Sequence, residues 1–211
     1  NVTGPVVTRI PPEPSKYPHI GHALSFLINF MYAQKYEGKC VLRLDDTNPE
    51  KAKKEYYQAV YDTLLWLRIT PDKTMIASNE METFYKYAQQ LIDQGNAYVC
   101  FDDREKMSHQ RQNSMLSDDR QQNPRQATEH WEKMKSGEYE EGKCILRLKG
   151  DMDSLNAVMR DPVLFRISHK EHPLQKRKYN AWPMYDFETA VAEDLCGITH
   201  ILRSNEFGAM R

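Results

Sequence analysis

Two histidines frame the tetrapeptide His19-Ile20-Gly21-His22, directly after a proline-stiffened turn and at the start of a run with helical apolar spacing. Imidazoles in that place are suited to a polyphosphate. The first N–H groups of a helix have no partner within the helix, and its dipole favours anions at that end. Gly21 leaves no side chain where a nucleotide ring would lie against the backbone. The chemistry implied is nucleotide binding with reaction at phosphorus. Asp45, in Arg43-Leu44-Asp45-Asp46-Thr47-Asn48-Pro49, closes an apolar strand, where a carboxylate can hold a substrate ammonium. The competing reading is that Asp45 and Asp46 only cap the next helix. Arg203 ends the apolar run that begins at Ile198, and a guanidinium buried there demands a carboxylate from protein or ligand.

The elements that must hold these groups follow from the apolar periodicity. Residues 5–10, 40–44, 75–76 and 97–100 read as strands, alternating with helices over 19–36, from Thr47 to about Leu67, and from Asn79 to Gln94. On the first helix, Ile20, Ala23, Leu24, Leu27, Ile28 and Met31 form one apolar stripe. Thr47-Asn48-Pro49-Glu50 carries the marks of a helix start. Such alternation predicts an α/β fold with a Rossmann-like, doubly wound parallel sheet. Right-handed crossovers then bring the end of the first strand, and with it His19 and His22, to the ligand crevice.

After Cys100 the chain turns polar through residue 141. Strands follow over 143–148 and 162–168, then a basic link with Lys170, Lys176, Arg177 and Lys178, a helix over 185–194 and a strand over 197–203. The expected organisation is residues 1–100 as the first half of the sheet domain, 101–178 as an α/β insertion, and 179–211 as the second half. The basic link is suited to a phosphodiester backbone, with a solvated surface as the competing reading. Lys106-Met107-Ser108 looks like part of an ATP-site signature but lies in the polar insertion, so it is read as a decoy.

With 211 residues and a net charge of −1, the chain is long enough for one large domain with an insertion, and its charge points neither to nor away from nucleic acid. No apolar run is long enough to span a bilayer. Cys40, Cys100, Cys144 and Cys196 have neither zinc-knuckle nor CxxC spacing, and read as reduced thiols of a cytoplasmic protein. No metal ligand set is expected.

Taken in order, Arg9-Ile-Pro-Pro-Glu-Pro with His19-Ile-Gly-His, Arg43-Leu-Asp-Asp-Thr-Asn-Pro, Met184-Tyr-Asp-Phe and Gly197-Ile-Thr-His resemble the class I glutamyl-tRNA synthetases, of archaeal and eukaryotic type, in the glutamyl/glutaminyl branch. The likeness runs through nearly the whole chain. It implies ATP with Mg2+ as substrate, glutamate, and the acceptor arm of tRNA as partner, received by the insertion. It implies that His19 and His22 stabilise phosphate charge while the amino acid carboxylate attacks the α-phosphorus. Glu13, Pro14, Ser15, Gly21, Ala23, Leu24 and Ser204 would line the ATP pocket. Arg9 would hold the end of the substrate side chain, Asp45 its α-ammonium, and Tyr185 and Thr189, one helical turn apart, the rest of the amino acid. Arg203, at a position where the resemblance sets arginine in glutamyl enzymes, would select glutamate over glutamine, because a guanidinium fork suits a carboxylate and is wasted on an amide.

Lys16 stands where the family usually has glycine. A second ATP loop and an anticodon-binding domain would lie beyond Arg203 and are missing from the sequence. The expectation is a catalytic core that alone turns over slowly or not at all. Three other readings stay open: a glutaminyl enzyme, a tRNA-modifying paralogue, and a non-catalytic or split-enzyme module that needs a second segment.

Overall fold

A computed structural model describes residues 4–203. They form two compact units, one of residues 4–80, 171–175 and 189–203, the other of residues 81–170 and 176–188.

The first unit is built on a three-stranded parallel sheet: β1 (Val7–Ile10), β2 (Lys39–Leu44) and β3 (Lys73–Ile76), in the order β1-β2-β3. Val7 pairs with Lys39 and Ile10 with Leu42, while Leu44 pairs with Ile76. Both crossovers are helical, α1 (Ile20–Lys35) and α2 (Lys54–Trp66). β2 is the central strand, and five of its six residues are buried, as expected for a parallel strand covered on both faces. Its Cys40, Leu42 and Leu44 pack with Ile10, Phe26, Ala33, Tyr57, Val60 and Leu64. Burying each larger apolar side chain of this set stabilises the unit by about 1.5–3 kcal/mol. Gly38 lets the chain turn from α1 into β2 at close quarters, since a Cβ there would lie 2.2 Å from the carbonyl oxygen of Val6.

Four local expectations are corrected. α1 buries Ala23, Phe26, Asn29 and Ala33, while Ile20 and Leu24, from the expected inner stripe, are 84 % and 59 % exposed. The helix is apolar over most of its circumference, so periodicity alone does not choose its inner face. α2 begins at Lys54, after a turn over 49–51, and its N-cap is Lys53 with no side-chain cap bond, so Thr47-Asn48-Pro49 is not the helix start. Residues 197–203 are not a strand. The N–H groups of Thr199 and His200 both donate to the carbonyl of Val7, which ties this segment to the edge of β1 without forming a ladder. The fourth expected strand of the parallel sheet belongs to the second unit.

That strand, β4 (Ala97–Cys100), follows α3 (Met81–Asp93) and leads a four-stranded antiparallel sheet with β5 (Ile145–Leu148), β6 (Val163–Ile167) and β7 (Ala181–Pro183). The change of unit therefore comes at Met81, before the polar region begins. α4 (Arg104–Gln112) and α5 (Pro124–Ser136) occupy that polar region. Trp131 packs edge-on to Phe165, and Phe165 lies 5.2 Å from Phe187. The last helix, α6 (Tyr185–Leu195), starts in the second unit and ends in the first. No described helix is long and apolar enough to cross a membrane.

Candidate active site

The turn over residues 11–18 carries the chain from the tip of β1 to α1. It is pinned to the end of β2, because the N–H of Asp45 donates to the carbonyl of Pro12 at 3.0 Å. The N–H of Lys53 donates to the carbonyl of Pro14. Pro14 is buried, Ser15 half-buried and Glu13 exposed, with the N–H of Ser15 closing on the carbonyl of Glu13.

At the start of α1 the two histidines cap the helix with their own rings. Nδ1 of His19 accepts from the N–H of Gly21 at 3.1 Å, and Nδ1 of His22 accepts from the N–H of His19 at 3.2 Å. The rings stand 4.0 Å apart at a steep angle. A ring nitrogen that accepts carries no proton, so in each neutral imidazole the hydrogen sits on Nε2. Burial, then the neighbouring His19 and Lys16, push His22 below the usual histidine range, which keeps that ring neutral.

The N–H groups of Gly21 and His22 are already taken, the latter by the carbonyl of His19. The two Nε2–H groups stand beside the helix end as further donors for a phosphate. Gly21 has a closer reason than room for a nucleotide: a Cβ there would meet Cε1 of His19 at 3.0 Å. Ala23 is buried and Leu24 is exposed. A groove of about 420 Å3 between α1 and α2 is lined by Pro18, Ile20, Asp62, Thr63 and Trp66 with His19 and Ala23, so it shares only the last two with the expected ATP pocket. Ser204 lies outside the described residues.

The second group of residues gathers at the ends of β1 and β2. Arg9, on β1, is buried, and its Nε lies 2.9 Å from Oε1 of Glu193 on α6. Nη2 of Arg203 lies 2.9 Å from the same oxygen. Arg43, on β2, is wholly buried and grips Asp45 with two donors, Nε on one carboxylate oxygen and Nη2 on the other at 2.8 Å. Nη1 of Arg43 lies 3.8 Å from Oε1 of Glu193, and its Nη2 lies 3.5 Å from the hydroxyl of Thr189. Burial pushes the Arg9 guanidinium below its usual range and Glu193 offsets part of this, leaving an arginine that is charged at any neutral pH.

Four sequence-predicted residues, Arg9, Asp45, Thr189 and Arg203, are thus joined in one network. The network also contains two residues the sequence reading did not single out, Arg43 and Glu193. Both were within reach of simple periodicity. Arg43 and Asp45 are two apart on a strand and share a face. Glu193 follows Thr189 by four on a helix, as Thr189 follows Tyr185. Tyr185, partly exposed, opens α6 in the second unit.

Charge defines what the network does. Asp45 answers Arg43. Arg9 and Arg203 are two guanidinium groups sharing one carboxylate oxygen, and Nε of Arg203 is buried with no hydrogen-bond partner among the described residues. Among the described residues the set holds three guanidinium groups and two carboxylates, an excess of one positive charge in surroundings where charge is costly.

In the second unit Cys100, Asp102 and Asp119 approach one another closely enough to suggest a metal. Their acceptors are already used. Asp102 takes the Lys106 ammonium at 2.6 Å and donors from Ser117 and Gln110, and Asp119 takes the N–H of Phe101.

The family model for the class I tRNA synthetases (E and Q), catalytic domain, matches residues 5–211. A glutamate–tRNA ligase of Nitrosopumilus maritimus is 45% identical over 206 residues, 98% of this chain and 36% of the relative. A probable glutamine–tRNA ligase of Dictyostelium discoideum is 41% identical, over 99% of this chain and 27% of the relative. The chain therefore spans about a third of the length of such relatives. Among solved structures, a glutamate tRNA ligase from Elizabethkingia meningosepticum has the same fold, with a TM-score of 0.71 at 19% identity, over 97% of this chain and 44% of that one. The chain belongs to the class I tRNA synthetases of the glutamate and glutamine group, as part of their catalytic domain.

Proposed function

We propose that this chain is the catalytic core of a glutamate–tRNA ligase. It activates glutamate with ATP, accompanied by Mg2+, and passes the glutamyl group to the 3′ end of tRNA in the cytoplasm. The observation that carries the reading is the pair of guanidinium groups, Arg9 and Arg203, sharing the single carboxylate of Glu193. A side-chain carboxylate on the substrate supplies the missing negative charge, and an amide does not. The glutamine–tRNA ligase relative makes glutamine the natural competitor.

In this reading Asp45 receives the α-ammonium. Its two oxygens are engaged by Arg43, and a carboxylate accepts at about four lone-pair sites. The α-carboxylate oxygen attacks the α-phosphorus, the bond to the leaving pyrophosphate breaks, and glutamyl-adenylate forms. A terminal hydroxyl of the tRNA then attacks the acyl carbon and AMP leaves. The Nε2–H groups of His19 and His22 donate to phosphate oxygens as charge builds on them, which is positioning and electrostatic stabilisation rather than proton transfer. Glu13, Pro14, Ser15, Gly21, Ala23 and Leu24 line the ATP pocket, with Tyr185 and Thr189 beside the amino acid. The second unit receives the acceptor arm.

Glutamate-dependent exchange of pyrophosphate into ATP tests the reading. This chain supplied with the remainder of its ligase should exchange with glutamate and not with glutamine. Exchange with glutamine alone overturns it.

A further inference from the structure

Glu193 takes no part in the reaction as proposed, yet the two guanidinium groups expected to meet the substrate side chain both point at it. Its Oε1 is 2.9 Å from Nε of Arg9, 2.9 Å from Nη2 of Arg203 and 3.8 Å from Nη1 of Arg43. Arg9 belongs to a strand near the N-terminus and Arg203 to the segment beyond α6, 194 residues later. Without a shared acceptor, two long like-charged side chains repel and spread over their rotamers. A carboxylate on the rigid face of α6 fixes both forks on one point.

We propose that Glu193 is a positioning residue that also tempers the charge of the amino acid pocket. It is the built-in counter-anion that converges Arg9 and Arg203 and leaves the pocket with one unanswered positive charge, matched to a substrate with one side-chain carboxylate. The inference rests on the reading that glutamate is the substrate. With two fixed carboxylates beside these two arginines the pocket would be neutral, and an acidic side chain would gain nothing over an amide. With none, the pocket would attract an anion more strongly but hold its arginines less well.

Glu193 also faces the substrate carboxylate with a like charge. Removing that charge while keeping an acceptor oxygen, as in Glu193→Gln, relieves the repulsion at a distance where it is strong. A residue that only braces the fold has the opposite signature: its loss lowers affinity for glutamate and glutamine alike.

The test is calorimetric binding of glutamate and of glutamine to the protein and to Glu193→Gln, with thermal unfolding of both. Expected are about tenfold tighter glutamate binding by the variant, with glutamine affinity within about threefold of the parent. The variant should also unfold at a lower temperature and regain more of it than the parent when glutamate is added. Glutamate affinity unchanged or weakened in a folded variant overturns the proposal. If Glu193→Gln does not fold, Glu193→Asp keeps the charge and withdraws it by one methylene. It should weaken both amino acids and leave their ratio within about threefold of the parent, and a larger change in that ratio overturns the proposal. The unaltered protein separates the two levels of inference. No preference for glutamate in it removes the functional reading and this proposal together, whereas a preference that Glu193→Gln leaves untouched removes only the role of Glu193.

Discussion

The imidazole of His172 donates from Nε2 to the backbone carbonyl of Asp46, 2.8 Å away and 126 residues earlier in the chain. Its Nδ1 accepts from the N–H groups of Leu174 and Gln175, which fixes the neutral tautomer. The Asp46 carboxylate in turn takes the hydroxyl of Tyr57 and both the N–H and the hydroxyl of Ser78. With His172, Asp46 and Ser78 fully buried, this knot fastens residues 171–175 beside the strand end that presents Asp45.

Replacing His172 with Gln forfeits the Nδ1 acceptor and should cost about 2 kcal/mol of stability, read by chemical denaturation. Burial pushes His172 below its usual range, so its contribution is full above the unfolded value of about 6.5 and is lost as pH falls. Burial raises Asp46, which acts with the opposite sign. Each group feels the other's charge, so the stability gap between parent and variant reports on the pair, and it should narrow from pH 7 to pH 5. A gap that stays constant or widens excludes this account of His172.

At the start of α1, His19 has two separable duties. His19→Ala removes the cap bond to Gly21 and should cost about 1 kcal/mol. His19→Asn keeps a capping oxygen and should stay within about 0.5 kcal/mol of the parent. Both lose the Nε2–H donor, so both should slow adenylate formation in the complete ligase by a similar factor, more through kcat than through the KM for ATP. A fast His19→Asn enzyme would show that capping is the whole role.

Arg43 and Asp45 form a buried ion pair, so removing one partner strands the other. Arg43→Met should destabilise by about 3–5 kcal/mol. Adding Asp45→Asn to it should recover about half of that loss, because no uncompensated charge is then left. Additive losses in the double variant would mean the two groups are held by other partners.

These positions show where sequence reasoning reaches and where it stops. The order β1, α1, β2, α2, β3 was legible because each element carries its own apolar period and the links are short. Asp45 and Arg203 stood out because charges at the ends of apolar runs need a reason, whereas Arg9 was reached only through the family resemblance. Arg43 and Glu193 escaped because each was read as part of a motif or a helix rather than asked for its counter-ion. The inner face of α1 was illegible in a helix with apolar residues nearly all round, and the sheet of β4 was illegible because strand pairing is set by distant partners, β4 finding β5 some 45 residues on.

Asp102 offers an acid-stability test in the second unit. Burial works against its charge, but bonds from Lys106, Ser117 and Gln110 outweigh that and hold its carboxyl at about 2. Its contribution is full above the unfolded value of about 3.9 and is lost as pH falls toward 2. Asp102→Asn should lower stability by about 2 kcal/mol at pH 7 and by about half as much at pH 3, followed by urea denaturation at both values. Equal losses at the two pH values would contradict the assignment.

The most direct measurement of the central claim is the pair of dissociation constants for glutamate and glutamine, taken on this protein and on Arg203→Ala. The unaltered protein should prefer glutamate by about tenfold or more, and the loss of Arg203 should bring the two constants within about threefold of each other. Equal constants in the unaltered protein, or a preference for glutamate that survives without Arg203, would contradict a pocket that recognises its substrate by one unanswered positive charge.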